Sequence, residues 1–221
     1  MTVNVEEVVI GILGGTGDQG RGLARRFALA GHRVIIGSRS EERAQAAAAE
    51  LAAETGHVDG MTNSDTAGNA DLVVAAIPWE GHGELLSSLA AELSGKIVVD
   101  CVNPLAFDAR GAYSLPVAEG SAAEQAAGLL PDSRVVAAFH HVSAKLLLDP
   151  EVAAMDLDVL VLGDDREATD LVQALAARIP GMRGVYAGRL RNAGQVEALT
   201  ANLVSVNRRY KAHAGLRVTD V

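Results

Sequence analysis

Residues 8–20 read VVIGILGGTGDQG, an apolar β-branched run that ends in a cluster of glycines. Val8 to Leu13 suits a strand buried on both faces, since such strands are near-continuous in Val, Ile and Leu. Asp18 to Ala30 then takes helical spacing, with Leu23, Phe27 and Ala30 on one side. Between strand and helix, Gly15, Gly17 and Gly20 give G-x-G-x-x-G. That spacing alone is weak in a chain with 23 glycines, but between a strand and a helix it is specific. The first glycine permits a tight turn, the second lets the backbone approach a pyrophosphate, and the third lets helix and strand pack closely. The helix N-terminus then faces the phosphates. A purely structural glycine turn is the alternative.

Working outward, Arg33 to Ile36 is a second strand, followed by GSRSEER at residues 37–43. A dinucleotide fold usually carries an acid here, to hold the adenosine ribose hydroxyls. This chain has Ser38 and Arg39 instead, with Arg43 one helical turn further on. A hydroxyl donor and two guanidinium forks attract a 2′-phosphate that an acid would repel, so the spacing predicts NADP(H). A solvated Arg39 is the alternative.

Ser40 can cap a helix from Glu41 to about Thr55, with two acids near its positive end. Asp71 to Ile77, Lys96 to Val99, Arg134 to Phe139 and Asp158 to Leu162 read as further strands. Helices are expected around Glu84 to Leu93, after a capping box at Ser121 and Glu124, over Ala168 to Ile179, and from Asn192 to about Ala214. Strands alternate with helices throughout, which predicts an α/β fold: a Rossmann-type, doubly wound, largely parallel sheet with helices on both faces. One domain over residues 1–221 is expected, with a nucleotide-binding core over about 1–180. A small C-terminal portion, about 181–221, should close the cofactor crevice.

Two strand ends should open onto that crevice. Ile77, Pro78 and Trp79 follow one of them, and Trp79, the sole tryptophan, can cover the nicotinamide half or simply pack. Asn103 and Pro104 follow the other and can shape the same site. His140, just past the strand ending at Phe139, should lie at the crevice, either supporting a bound ring or satisfying a backbone carbonyl.

Bulk properties exclude several classes. The chain has 221 residues, 49% hydrophobic and 21% charged, so it is globular rather than disordered. A net charge of −9 argues against nucleic acid or an anionic membrane as the main partner. The charge is uneven: residues 183–221 carry +5 and the remainder −14. One cysteine, Cys101, excludes an internal disulfide and a cysteine metal cluster, and the six histidines show no metal-ligand spacing. No run of about 18 apolar residues appears, and MTVNVEEVVI at the N-terminus lacks a signal pattern. A cytoplasmic, soluble protein is expected.

In order along the chain, LGGTGDQG, GSRSEER, IPWE, FHHVSA (139–144), GDD (163–165) and GRLRNAGQVEALT (188–200) resemble the NADP-dependent reductases of the deazaflavin coenzyme F420. The match covers nearly the whole chain, without the long helical domain that hydroxyacid and imine reductases add. The resemblance implies reversible hydride transfer between NADP(H) and F420 as co-substrate, with no metal. It places Thr16, Gly17, Asp18 and Gln19 on the pyrophosphate, and Ser38, Arg39 and Arg43 on the 2′-phosphate. Ile77, Trp79 and Ala144 fall on the nicotinamide half, and His140, His141, Val142 and the tail near Ala214 approach the deazaflavin. His141 departs from the family pattern, which has one histidine here.

Hydride transfer between two coenzymes needs positioning more than a catalytic acid or nucleophile, and no such group stands out. Arg189, Arg191, Arg208, Arg209 and Lys211 are candidate contacts for the anionic tail of F420. The resemblance implies a homodimer; the apolar stretch Val196 to Val206 suits its interface, and burial against the chain's own sheet explains that stretch equally well. Two rivals share the nucleotide half: an NADPH-dependent flavin, ferric or imine reductase, and a non-catalytic NADP(H)-binding redox sensor.

Overall fold

The computed structural model describes residues 5–221; the first four residues of the N-terminal stretch read above lie outside it. The first half of the chain alternates β1 (Ile10–Leu13), α1 (Asp18–Leu29), β2 (Val34–Ser38), α2 (Glu41–Thr55), β3 (Val58–Thr62), α3 (Asn63–Asn69) and β4 (Leu72–Ala75). A 3-10 turn at Trp79–Gly81 leads into α4 (His82–Ser88), α5 (Ala90–Leu93) and β5 (Ile97–Asp100). A hairpin of β6 (Leu105–Asp108) and β7 (Gly111–Ser114) follows, then α6 (Ala122–Leu129) and β8 (Arg134–Ala137). The chain ends with α7 (Ala144–Leu148), β9 (Leu157–Gly163), α8 (Arg166–Ala176), β10 (Met182–Gly188) and α9 (Ala193–Tyr210).

Eight strands form one sheet in the order β10-β9-β8-β5-β4-β1-β2-β3, while β6 and β7 pair separately. Every pairing in the large sheet is parallel except β8 with β9. The doubly wound α/β fold is therefore as expected. Strand residues alternate between two buried layers. Ile10, Ile12, Val34, Ile36, Leu72 and Val74 face one core with α1, α2 and α8. Leu13, Val73, Ala75, Val98 and Val135 face the other with α3, α4, α6 and α9.

The strand order reverses at β1, so the loops that leave the C-terminal ends of β1 and β4 run to opposite faces of the sheet and leave a crevice between them. Ser40 caps α2 by accepting from Arg43 N at 3.3 Å, and Ser121 caps α6 through Glu124 N at 3.0 Å, as the sequence predicts. The segment after residue 180 first supplies the edge strand β10 and only then crosses back as α9.

Candidate functional site

A cleft of about 990 Å³ runs along the C-terminal edge of the sheet over the switch point. At its centre lies the glycine loop. The turn out of β1 falls on Gly14, not Gly15: Gly14 has φ +68°, and a Cβ there would sit 2.6 Å from the Ala76 carbonyl oxygen. Gly20 keeps α1 against the loop, since its Cβ would lie 2.7 Å from Gly15 Cα. Gly17 caps α1 with nothing crowding it, so the helix end stays open to the cleft along with Thr16, Asp18 and Gln19. A backbone with no side chain over it, at a helix N-terminus, suits a pyrophosphate.

One end of the cleft is cationic. Ser38, Arg39 and Arg43 line it together with Asn63 from the start of α3. Ser38 is buried and its hydroxyl accepts from Ser40 N at 3.3 Å, which orients the bend. Arg39 and Arg43 are exposed, and neither has an ion-pair partner among the described residues. Their neighbour Arg33, by contrast, is engaged by Asp59 at 3.0 Å. Two free guanidinium groups beside a hydroxyl make this end fit a phosphorylated ribose.

The other end is walled by Ile77, Pro78 and Trp79 after β4, and by Cys101, Val102 and Asn103 after β5. Asn103 Nδ2 donates to the His140 carbonyl at 2.8 Å, and Thr200 Oγ1 on α9 donates to the same oxygen at 3.2 Å. These bonds tie the C-terminal helix to the cleft floor and to the FHHVSA segment.

That segment departs from expectation. Phe139 holds φ +64°, a strained state for a bulky residue, fixed by full burial and an edge-on contact with Phe27 at 5.8 Å. Gln19 Nε2 in the glycine loop reaches its carbonyl at 3.4 Å. His140 does not open into the cleft: it is 3% exposed, with its ring turned to the backbone of Cys101 and Val102. Burial pushes its pKa down to about 4 against the opposing charge of Asp100, so the ring is neutral. His141 is buried too and likewise lowered to about 4, by burial and then by His140; its Nε2 accepts from Leu160 N at 3.4 Å. Pro104, Val142, Ala144 and Ala214 also lie off the cleft lining. Asn63, Cys101 and Val102 line it without having been singled out. The last two sit on a recognised strand end, but Asn63 follows a strand that carried no sequence signal.

The buried histidines set a pH dependence. Their folded pKa lies below the unfolded value near 6.5, so unfolding takes up protons and stability is lost as pH falls from about 6.5 towards 4. Glu197, buried on α9 and raised to about 7, works oppositely: its stability contribution is complete below the ordinary carboxyl pKa and is lost as pH rises towards 7. Unfolding of a Glu197→Gln variant should therefore take up about one proton more between pH 5 and 6.5 than that of the parent, read from urea midpoints. Equal pH slopes would contradict these protonation states.

A glycine loop at the switch point of a doubly wound sheet, with unpaired arginines at the tip of its second strand, defines a dinucleotide-binding protein of the phosphorylated-cofactor class. Residues 9–104 match the family described as NADP oxidoreductase, coenzyme F420-dependent. The F420-dependent NADP reductase of Methanothermobacter thermautotrophicus is 38% identical over 99% of this chain and 98% of its own. That of Methanocaldococcus jannaschii is 38% identical over 96% and 98%. A crystal structure from Arthrobacter sp. FB24, described as a candidate F420-dependent NADP reductase, superposes with a TM-score of 0.82 at 30% identity, covering 96% of this chain and 99% of that one. The chain belongs to the family of F420-dependent NADP reductases.

Proposed function

We propose that this protein is an NADP-dependent oxidoreductase that transfers a hydride reversibly between NADP(H) and the deazaflavin coenzyme F420. Family membership supports the activity, and the unpaired Arg39 and Arg43 at the cleft mouth support the phosphorylated cofactor. The two coenzymes supply the hydride donor and acceptor carbons. The chain supplies position: the glycine loop holds the pyrophosphate, Ser38 with the two arginines holds the 2′-phosphate, and Ile77 and Trp79 wall the nicotinamide. His140, neutral and beneath the surface, acts through its carbonyl, which fixes Asn103 and Thr200.

Mixing the enzyme with NADPH and oxidised F420 should bleach the visible deazaflavin band within seconds at micromolar enzyme. Bleaching of flavin alone would point to the flavin reductase, and tight NADPH binding without turnover to the redox sensor.

The proposal includes one folding unit over the whole chain, a cytoplasmic location and a homodimer. Among the described residues no helix is long and apolar enough to cross a membrane. On the helix first read as a dimer face, Val196, Ala201 and Leu203 are buried against the chain itself. Exposed Phe107 and Tyr113 on the β6–β7 hairpin, with Val206 and Tyr210 on α9, form the apolar surface that a second copy would cover.

A further inference from the structure

Behind the nicotinamide wall lies a buried polar cluster that none of the roles above uses. His82, at the start of α4, is fully buried. Its Nε2 lies 2.6 Å from Asp100 Oδ2 at the end of β5, and its Nδ1 lies 2.9 Å from Gln125 Oε1 on α6. Both nitrogens face oxygens, and a carboxylate at 2.6 Å favours the protonated ring. Asp100, also fully buried, accepts from Val102 N at 3.0 Å through its other oxygen. The His82 ring packs against Trp79, with centroids 5.5 Å apart and planes inclined by 34°. Glu197 of α9 faces the same group and caps α6 through Ala122 N at 2.9 Å and Ala123 N at 3.2 Å.

We propose that His82 is a positioning residue for the nicotinamide end of the cleft. Clamped between Asp100 and Gln125, it fixes the Trp79 ring from behind and, through Asp100, the backbone of Val102 in the opposite wall. The inference rests on the reading of the cleft as an NADP(H) site. A buried ion pair is a poor way to add stability compared with an apolar pair of the same volume. Its value is orientation: two cleft walls on different strands are locked to one charged ring. Burial opposes the charge on His82, but the hydrogen bond and charge of Asp100, aided by Gln125 and Glu197, outweigh it and raise its pKa.

Trp79 is the sole tryptophan, so its emission reports directly on this ring. An adjacent imidazolium quenches indole, and a neutral imidazole does so far less. Emission of the protein should be quenched at low pH and recover with a midpoint above the ordinary histidine value near 6.5. Asp100→Asn keeps the acceptor for Val102 N and can donate to a neutral His82, so its midpoint should fall below about 6.5. Its kcat should fall on the order of 10-fold while the KM for F420 stays within about 2-fold, since misplacement by a fraction of an ångström costs rate rather than binding of the other substrate. His82→Gln should remove the pH transition altogether.

A parent midpoint at or below 6.5, or an Asp100→Asn enzyme with unchanged emission profile and kcat, would overturn the positioning role. The parent titration decides this even where a variant fails to fold. NADPH should perturb Trp79 emission in the parent. If it does not, the reading of the cleft fails and this proposal with it; if NADPH perturbs it and the variants behave as the parent does, the positioning role alone fails.

Discussion

Replacing Arg39 and Arg43 together by alanine is expected to weaken NADPH binding by about two orders of magnitude and to leave NADH binding within about 3-fold. A hydrogen bond to a charged group contributes about 1.5–3 kcal/mol, so two guanidinium contacts to one phosphate contribute roughly 3–6 kcal/mol. Both side chains are exposed, and screening pulls the effect towards the lower end, about 3 kcal/mol or 10²-fold. Neither arginine gives up an internal ion pair on binding, so little is lost to offset the gain. NADH lacks the 2′-phosphate and feels neither change. Titration of nicotinamide fluorescence with both cofactors measures the ratio directly. Equal losses for NADPH and NADH would show that the pair stabilises the β2 end rather than reading the phosphate.

Arg26→Met should cost on the order of 3 kcal/mol of stability, the penalty for leaving buried acceptors without their donor. Arg26 is 3% exposed on α1 and donates to four carbonyls: Leu147 at 2.9 Å, Val152 at 2.7 Å, Leu146 at 2.6 Å and Asp149 at 3.2 Å. Burial, then the charge of Arg25, lowers its pKa, but the convergence of carbonyls keeps the guanidinium in place. Methionine fills the volume and leaves those oxygens without a donor. At about 2–4 °C per kcal/mol for a chain of this size, Tm should fall by roughly 10 °C. Hydrogen exchange should speed up first over residues 145–152, which follow directly on the FHHVSA segment. A Tm within 2 °C of the parent would show that water replaces the guanidinium at no cost.

The elements legible in the sequence are those whose residues satisfy one local rule. The β1–α1 unit is apolar for a strand, glycine-rich for a turn and helical in period. The capping serines Ser40 and Ser121 act within three residues of themselves. Two strands that went unread fail for a shared reason. In β3 (VDGMT) and β10 (MRGVYAG), glycine looks like a turn signal. It is there because a helix lies against the strand: a Cβ at Gly60 would be 2.4 Å from the Ala44 carbonyl, and one at Gly184 would be 2.3 Å from Gln173 Cα. Close approach to a distant element leaves no periodic trace. Missing β3 also hid Asn63, the cleft residue that follows it. His140 shows the converse: its position after a strand was legible, but its burial, at 3% exposed, follows from packing between distant elements.

By itself, the sequence determined the class of fold, the glycine loop and the cationic tip of the second strand, because each is set by neighbours along the chain or by a spacing of one helical turn. Only the tertiary structure decided which strand ends meet, that His140 is neutral and covered, and that His82, Asp100 and Glu197 share one buried site behind Trp79. Those residues are 18 to 115 positions apart, and the pairing and dehydration that fix their charge arise only once the sheet and its helices have packed.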